Sequence, residues 1–217
     1  MEMSATISQS NKVKQYKFAL ALALLSILFA LAEAIFSTYY GYNDESLTLF
    51  GFGVGSFIEV FSAIGVAHMI VRIKHNENSN RDNFEQTALR ITGTGFYILV
   101  AGLLVTIVYN ILKGHKPETT FPGVVISLFS IVLMLFLVSG KTKAGTQLNS
   151  NAILADAACT KVCVYMSVIL LAASSIYELT KFQYIDDMGT LGIAYFSFKE
   201  GKESFEKAKS NKHCSCC

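Results

Sequence analysis

Charged side chains are scarce in this chain, since Asp, Glu, Lys and Arg together make up 16% of its 217 residues. A soluble globular domain carries about a quarter of its residues as charges, so the low fraction argues against that class. Hydrophobic residues make up 52% of the chain instead, and they are gathered into runs long enough to cross a bilayer. The composition predicts an integral membrane protein of about six spans, with no extramembrane domain of useful size.

We expect no cleavable signal peptide, because the first apolar run extends past a typical h-region and contains Glu33, as a retained span would. We expect an all-α polytopic fold with six transmembrane helices, at residues 16–40, 47–71, 91–112, 121–138, 152–177 and 188–198. The sixth is shorter than the roughly 20 residues that a span needs, and an interfacial amphipathic helix is the alternative for it. Residues 1–15 are expected to form a disordered cytoplasmic tail, residues 16–208 the transmembrane domain, and residues 209–217 a Cys- and His-rich cytoplasmic tail.

The basic residues predict the orientation of these spans. Most of the Lys and Arg residues fall in the two tails and in the loops after the second and fourth spans, whereas the opposite loops hold Lys113, Lys116 and Lys181. Basic residues concentrate on the cytoplasmic side, so both termini are predicted to be cytoplasmic. That arrangement requires an even number of spans, which favours six.

The fifth predicted span carries the densest set of candidate metal ligands. Asp156, Cys159 and Cys163 are separated by three and four residues, so they project from one helical face. Two thiolates one turn apart can converge on one metal ion, and sulfur favours soft or borderline ions such as zinc or cadmium. The alternative is that both cysteines are small buried hydrophobic residues. Lys161 lies between them and is predicted to pair with Asp156.

Other spans hold further ionisable groups, which are costly inside a membrane and tend to face the bundle interior. Glu59 lies in the middle of the second span, and we interpret it as a functional carboxyl; the alternative is a neutral structural one. For Glu33 the sequence favours neither the functional nor the structural role. His68 is interpreted as an interfacial residue. The last five residues read HCSCC, which we interpret as a flexible cluster that captures thiophilic ions.

Three stretches resemble the cation diffusion facilitator family of heavy-metal exporters. Residues 46–49 read SLTL and residues 56–60 read SFIEV, similar to the family pattern Ser-Leu-Ala-Leu that leads into His-x-x-x-Asp. Residues 154–163 read LADAACTKVC, similar to Ala-Asp-Ala-x-His-x-x-x-Asp in the fifth span. Residues 187–189, DMG, resemble the Asp-Pro that opens the sixth. The likeness covers nearly the whole chain, and we expect a divergent member that lacks the family's C-terminal cytoplasmic domain.

The resemblance implies a metal-transport site on spans two and five. Glu59, Cys159 and Cys163 then fall on three of the four ligand positions, while Gly55 falls on the fourth and supplies no donor. Asp156 or a water molecule is expected to complete a tetrahedron, and Asp156 is our preferred candidate.

The expected function is export of a divalent or soft metal cation, such as zinc or cadmium, from the cytoplasm in exchange for protons. The chain is then not an enzyme and needs no prosthetic group. Its expected partners are the metal cation, protons, the lipid bilayer and a second copy in a homodimer, with no nucleic acid. The plasma or inner membrane is the expected location. A membrane-embedded metal sensor and a thiol redox protein are the alternatives.

Overall fold

The computed structural model describes residues 2–44, 46–75, 83–113, 120–148, 151–182 and 184–209. Within these residues the chain forms six α-helices: α1 (Glu2–Asn43), α2 (Leu47–His75), α3 (Asn83–Lys113), α4 (Phe121–Leu148), α5 (Asn151–Thr180) and α6 (Tyr184–Lys209). Five of them are long and apolar enough to cross a bilayer, namely all but α6. The prediction of an all-α polytopic membrane protein is confirmed.

The helices pack so that α2 and α5 lie at the centre of the bundle. Helix α2 contacts α1, α3, α5 and α6, and the closest helix pairs are α1 with α2, α4 with α5 and α3 with α6. The main apolar cluster joins α2, α3, α5 and α6, with Phe52, Leu170 and Ile193 almost fully buried in it. A smaller cluster at the other end joins α1, α2, α4 and α5. The buried side chains in the middle of α2 and α5, Glu59 and Cys163 among them, therefore face protein and not lipid.

Close approach of α1 and α2 depends on a glycine. A Cβ atom at Gly53 would lie 2.6 Å from the backbone nitrogen of Thr38 on α1, which is closer than atoms in contact can come. Only a residue without a side chain fits there, so the sequence GFGVG in α2 permits this tight contact.

Helix α1 begins well before the predicted first span. The structure has helix from Glu2 onward, continuous with that span. The sequence from Glu2 to Tyr40 contains no Gly and no Pro, so nothing interrupts a helix that the apolar segment nucleates.

Helix α6 is the one described helix whose apolar length alone does not identify it as a membrane span. Its 26 residues make a rod about 39 Å long, which exceeds the roughly 30 Å thickness of the hydrocarbon core. Its polar residues Ser197, Glu200 and Ser204 are buried against neighbouring helices. Because those side chains face protein, α6 can belong to the bundle without being apolar all round.

Asp186, in the first turn of α6, caps the N-terminus of α2. Its carboxylate accepts hydrogen bonds from the Leu47 backbone N–H at 2.7 Å, from the Ser46 hydroxyl at 2.8 Å and from the Thr48 N–H at 3.4 Å. The first N–H groups of a helix have no partner within the helix, and a carboxylate near them also favours the positive end of the helix dipole. The Asp186 carboxylate therefore joins α6 to α2.

We predict that Asp186→Ala lowers the free energy of unfolding by about 2 kcal/mol, because it leaves these donors without an acceptor. Asp187→Ala is the matched control, since the neighbouring carboxyl is not part of this cap, and it should change stability by less than about 0.5 kcal/mol. Denaturant unfolding in detergent micelles measures both. Equal losses in the two variants would contradict the capping role.

Candidate functional site

A small cavity lies where α2, α3, α5 and α6 meet. It has a volume of about 10 Å³, which is close to the space that one water molecule or one small ion occupies. Three of the four predicted ligands line it, namely Glu59 from α2 and Cys159 and Cys163 from α5. The Glu200 carboxylate from α6 lines it too. The other lining residues are Thr92, Phe96 and Val162. The structure thus brings together residues separated by more than a hundred positions in the chain.

Glu59 is the polar centre of this cavity and is 5% exposed. The Cys163 thiol lies within hydrogen-bond reach of its carboxylate. Among the residues that the structure describes, nothing donates a hydrogen bond to its Oε2 atom, although that atom is buried. A buried acceptor without a partner is unfavourable, so Glu59 is suited to receive a cation or a proton there.

Cys159 faces α6 instead of α2. Its thiol donates a hydrogen bond to Oε1 of Glu200, with 2.9 Å between the sulfur and the oxygen. Cys163 lies one turn along α5, and the two side chains therefore bracket the cavity from the same helix. Two sulfur and two carboxylate groups thus surround one volume.

The donors are not yet at coordination distance. Across the described part of the chain, no three side chains among His, Cys, Asp and Glu are arranged to hold one metal ion as they stand. Coordination would require the side chains to turn inward and the thiols to lose their protons.

Gly55 lies at the position where the cation diffusion facilitator pattern has a metal ligand. The space beside it is occupied by a side chain of α5. A Cβ atom there would lie 3.0 Å from the terminal methyl of Met166 on α5. The glycine lets the two central helices pack closely at that point, and the fourth donor has to come from elsewhere.

Asp156, the predicted fourth ligand, does not line the cavity. Its carboxylate makes a salt bridge of 2.8 Å with the ammonium of Lys141 on α4, and both side chains are almost fully buried. The Lys141 ammonium also donates to the hydroxyl of Thr160 at 2.9 Å. A buried carboxylate satisfied in this way has an evident structural role, since it holds α4 against α5.

Two expectations about lysines are corrected here. Lys141 was predicted to lie in the loop after the fourth span, but α4 continues to Leu148 and places Lys141 inside the bundle. Lys161, which was predicted to pair with Asp156, is exposed. Residues five positions apart point to nearly opposite sides of a helix, so Lys161 could not reach that carboxylate.

Glu33 on α1 belongs to a separate polar cluster. It accepts hydrogen bonds from the hydroxyls of Ser56 on α2 and Ser130 on α4. The Ser56 hydroxyl also lies 3.1 Å from the carbonyl oxygen of Phe52, so its one hydrogen has two acceptors within reach. A proton on the Glu33 carboxyl would satisfy every oxygen in this cluster, which is typical of a carboxyl that stays neutral in a membrane.

Other predicted features lie away from the cavity. His68 is exposed on α2, as an interfacial residue would be. The cluster at residues 213–217 lies outside the described residues.

The sequence model described as the cation efflux transmembrane domain matches residues 19–211, which is nearly the whole chain. The chain belongs to the cation efflux family. It is therefore a membrane transporter of metal cations and not an enzyme, as the sequence predicted. A search of curated proteins finds no match to this cation efflux protein.

The Lys141–Asp156 pair generates a prediction for this cation efflux protein. Lys141→Met leaves a buried carboxylate without a counter-ion and should lower the free energy of unfolding by about 3–5 kcal/mol. The double variant Lys141→Met/Asp156→Leu removes both charges and should recover most of that loss. Denaturant unfolding in micelles compares the two. A double variant as unstable as the single one would contradict a mainly electrostatic role.

Proposed function

We propose that this chain exports a divalent or soft metal cation from the cytoplasm in exchange for protons, and that Glu59, Cys159 and Cys163 bind the ion. The observation that carries the proposal is the buried side chain of Glu59, which lines a cavity together with both thiols and whose Oε2 atom has no hydrogen-bond donor among the described residues. A carboxylate and two thiolates form a donor set that suits zinc or cadmium better than magnesium or calcium.

Proton exchange follows from the same three residues. Each has to be deprotonated to bind a metal ion, so metal and protons compete for one site. A more acidic compartment on the far side favours protonation and release of the ion. Occupancy alternates between metal and protons without a separate proton pathway.

The proposed orientation in the membrane follows from the distribution of basic residues. In this proposal both termini face the cytoplasm, and the protein works as a homodimer in the plasma or inner membrane. The basic residues of the loops set the orientation. The cluster at residues 213–217 would capture thiophilic ions near the cytoplasmic entrance.

Flux measurements on purified protein in vesicles test the proposal. Uptake of Zn²⁺ or Cd²⁺ should rise with an opposing proton gradient, and Glu59→Gln and Cys159→Ser should each reduce it to less than about a tenth of the wild-type rate. Glu206→Gln is the matched control, since it removes an exposed carboxylate on α6, 65% exposed, and should leave flux unchanged.

Flux that is indifferent to the proton gradient would contradict antiport. Wild-type flux in both Glu59→Gln and Cys159→Ser would show that the ion binds elsewhere. Circular dichroism and size-exclusion profiles of each variant establish that a loss of flux does not come from misfolding.

A further inference from the structure

Glu200 is a buried carboxylate in a segment of α6 that is otherwise rich in exposed charges. It is 2% exposed, whereas Lys199 and Lys202 on either side of it are exposed. None of the basic side chains that the structure describes forms an ion pair with it. Its hydrogen-bond donor is the Cys159 thiol, and a thiol is a weak donor. A carboxylate so poorly compensated in a membrane protein calls for a functional explanation.

We propose that Glu200 is the fourth metal ligand and that α6 thereby completes a site otherwise built from α2 and α5. This inference rests on the proposed function and adds a second carboxylate to its donor set. Glu200 lines the same cavity as Glu59, Cys159 and Cys163, and the buried Oε2 atom of Glu59 has no hydrogen-bond donor among the described residues. The ligand position left vacant by Gly55 is then supplied from a different helix.

The Cys159 and Glu200 side chains already lie close to the separation that two ligands of one ion would have. In a tetrahedral zinc site with a metal–sulfur distance of about 2.3 Å and a metal–oxygen distance of about 2.0 Å, the sulfur and the oxygen lie about 3.5 Å apart. The Cys159 sulfur and the Glu200 Oε1 atom are 2.9 Å apart. Separating them by about 0.6 Å, with loss of the thiol proton, would turn a hydrogen-bonded pair into two ligands of one ion.

The small residues around Glu200 explain why α6 can pack so closely against α3. Gly201 faces Gly93 on α3, where an added Cβ would lie 3.1 Å from the Gly201 carbonyl oxygen. On the buried side of α6, Ser197 and Ser204 flank Glu200 at about one turn on either side. This face brings the carboxylate to the cavity while the charged residues of α6 remain outside.

The test measures equilibrium binding of Cd²⁺ to the purified full chain. Cys214, Cys216 and Cys217 are replaced by Ser in every sample, so that the tail does not bind the probe. Glu200→Gln should weaken Cd²⁺ binding by at least about tenfold. Glu206→Gln, the exposed carboxylate on the same helix, should bind within about twofold of the parent.

A second variant separates a ligand from a structural carboxylate. Glu200→His replaces the oxygen donor with a nitrogen donor that binds zinc and cadmium, so binding should recover relative to Glu200→Gln. Protection of Cys159 and Cys163 from alkylation by bound Cd²⁺ gives an independent readout, and it should be weak in Glu200→Gln and restored in Glu200→His.

The outcomes discriminate between the two proposals. If Glu200→Gln binds Cd²⁺ like Glu206→Gln, or if Glu200→His is as weak as Glu200→Gln, then Glu200 is not a ligand. Either result, combined with lost binding in Glu59→Gln, overturns this inference and leaves the proposed function intact. Parent-like binding in Glu59→Gln and Cys159→Ser as well would overturn the site itself.

Discussion

A carboxylate inside a membrane bundle needs compensation, because neither water nor lipid stabilises its charge there. This chain buries five acidic side chains among its described residues, and each is accommodated differently: Glu33, Glu59, Asp156, Asp186 and Glu200. Asp156 is neutralised by a lysine, Asp186 caps a helix, and Glu33 lies among hydroxyl groups. The remaining two border one cavity with two thiols. The position of the candidate site follows from this distribution.

Most of the fold was predictable because apolar length and periodicity are local properties of the sequence. The structure confirms an all-α membrane bundle, and the helices include every predicted span. The errors are at the ends, where a helix continues past its apolar part. Helix α1 starts at Glu2, and no Gly or Pro interrupts it before Gly41. Helix α4 reaches Leu148 although Gly140 and Gly145 lie in its last part.

Contacts between side chains on different helices were less predictable than the helices themselves. The spacing of Cys159 and Cys163 located one side of the cavity, but it could not show that Asp156, on the same stripe, turns to α4 and pairs with Lys141. That pairing depends on how α4 packs against α5, which no local pattern encodes. Sequence reasoning missed Glu200, which lies two residues beyond the predicted end of the sixth span.

A signal for Glu200 was nevertheless present. Ser197, Gly201 and Ser204 recur at helical spacing and mark a small-residue face of α6, and Glu200 lies on that face. An acidic residue within such a stripe is a candidate for the bundle interior even where the helix as a whole is too polar for a typical span.

The position of a bound ion tests the account most directly. Anomalous diffraction from crystals of the full chain grown with Cd²⁺ would locate it without any assumption about transport. The account predicts a cadmium peak in the cavity between α2, α5 and α6, in contact with Glu59, Cys159 and Cys163. Cadmium peaks found only elsewhere, with none in that cavity, would contradict it.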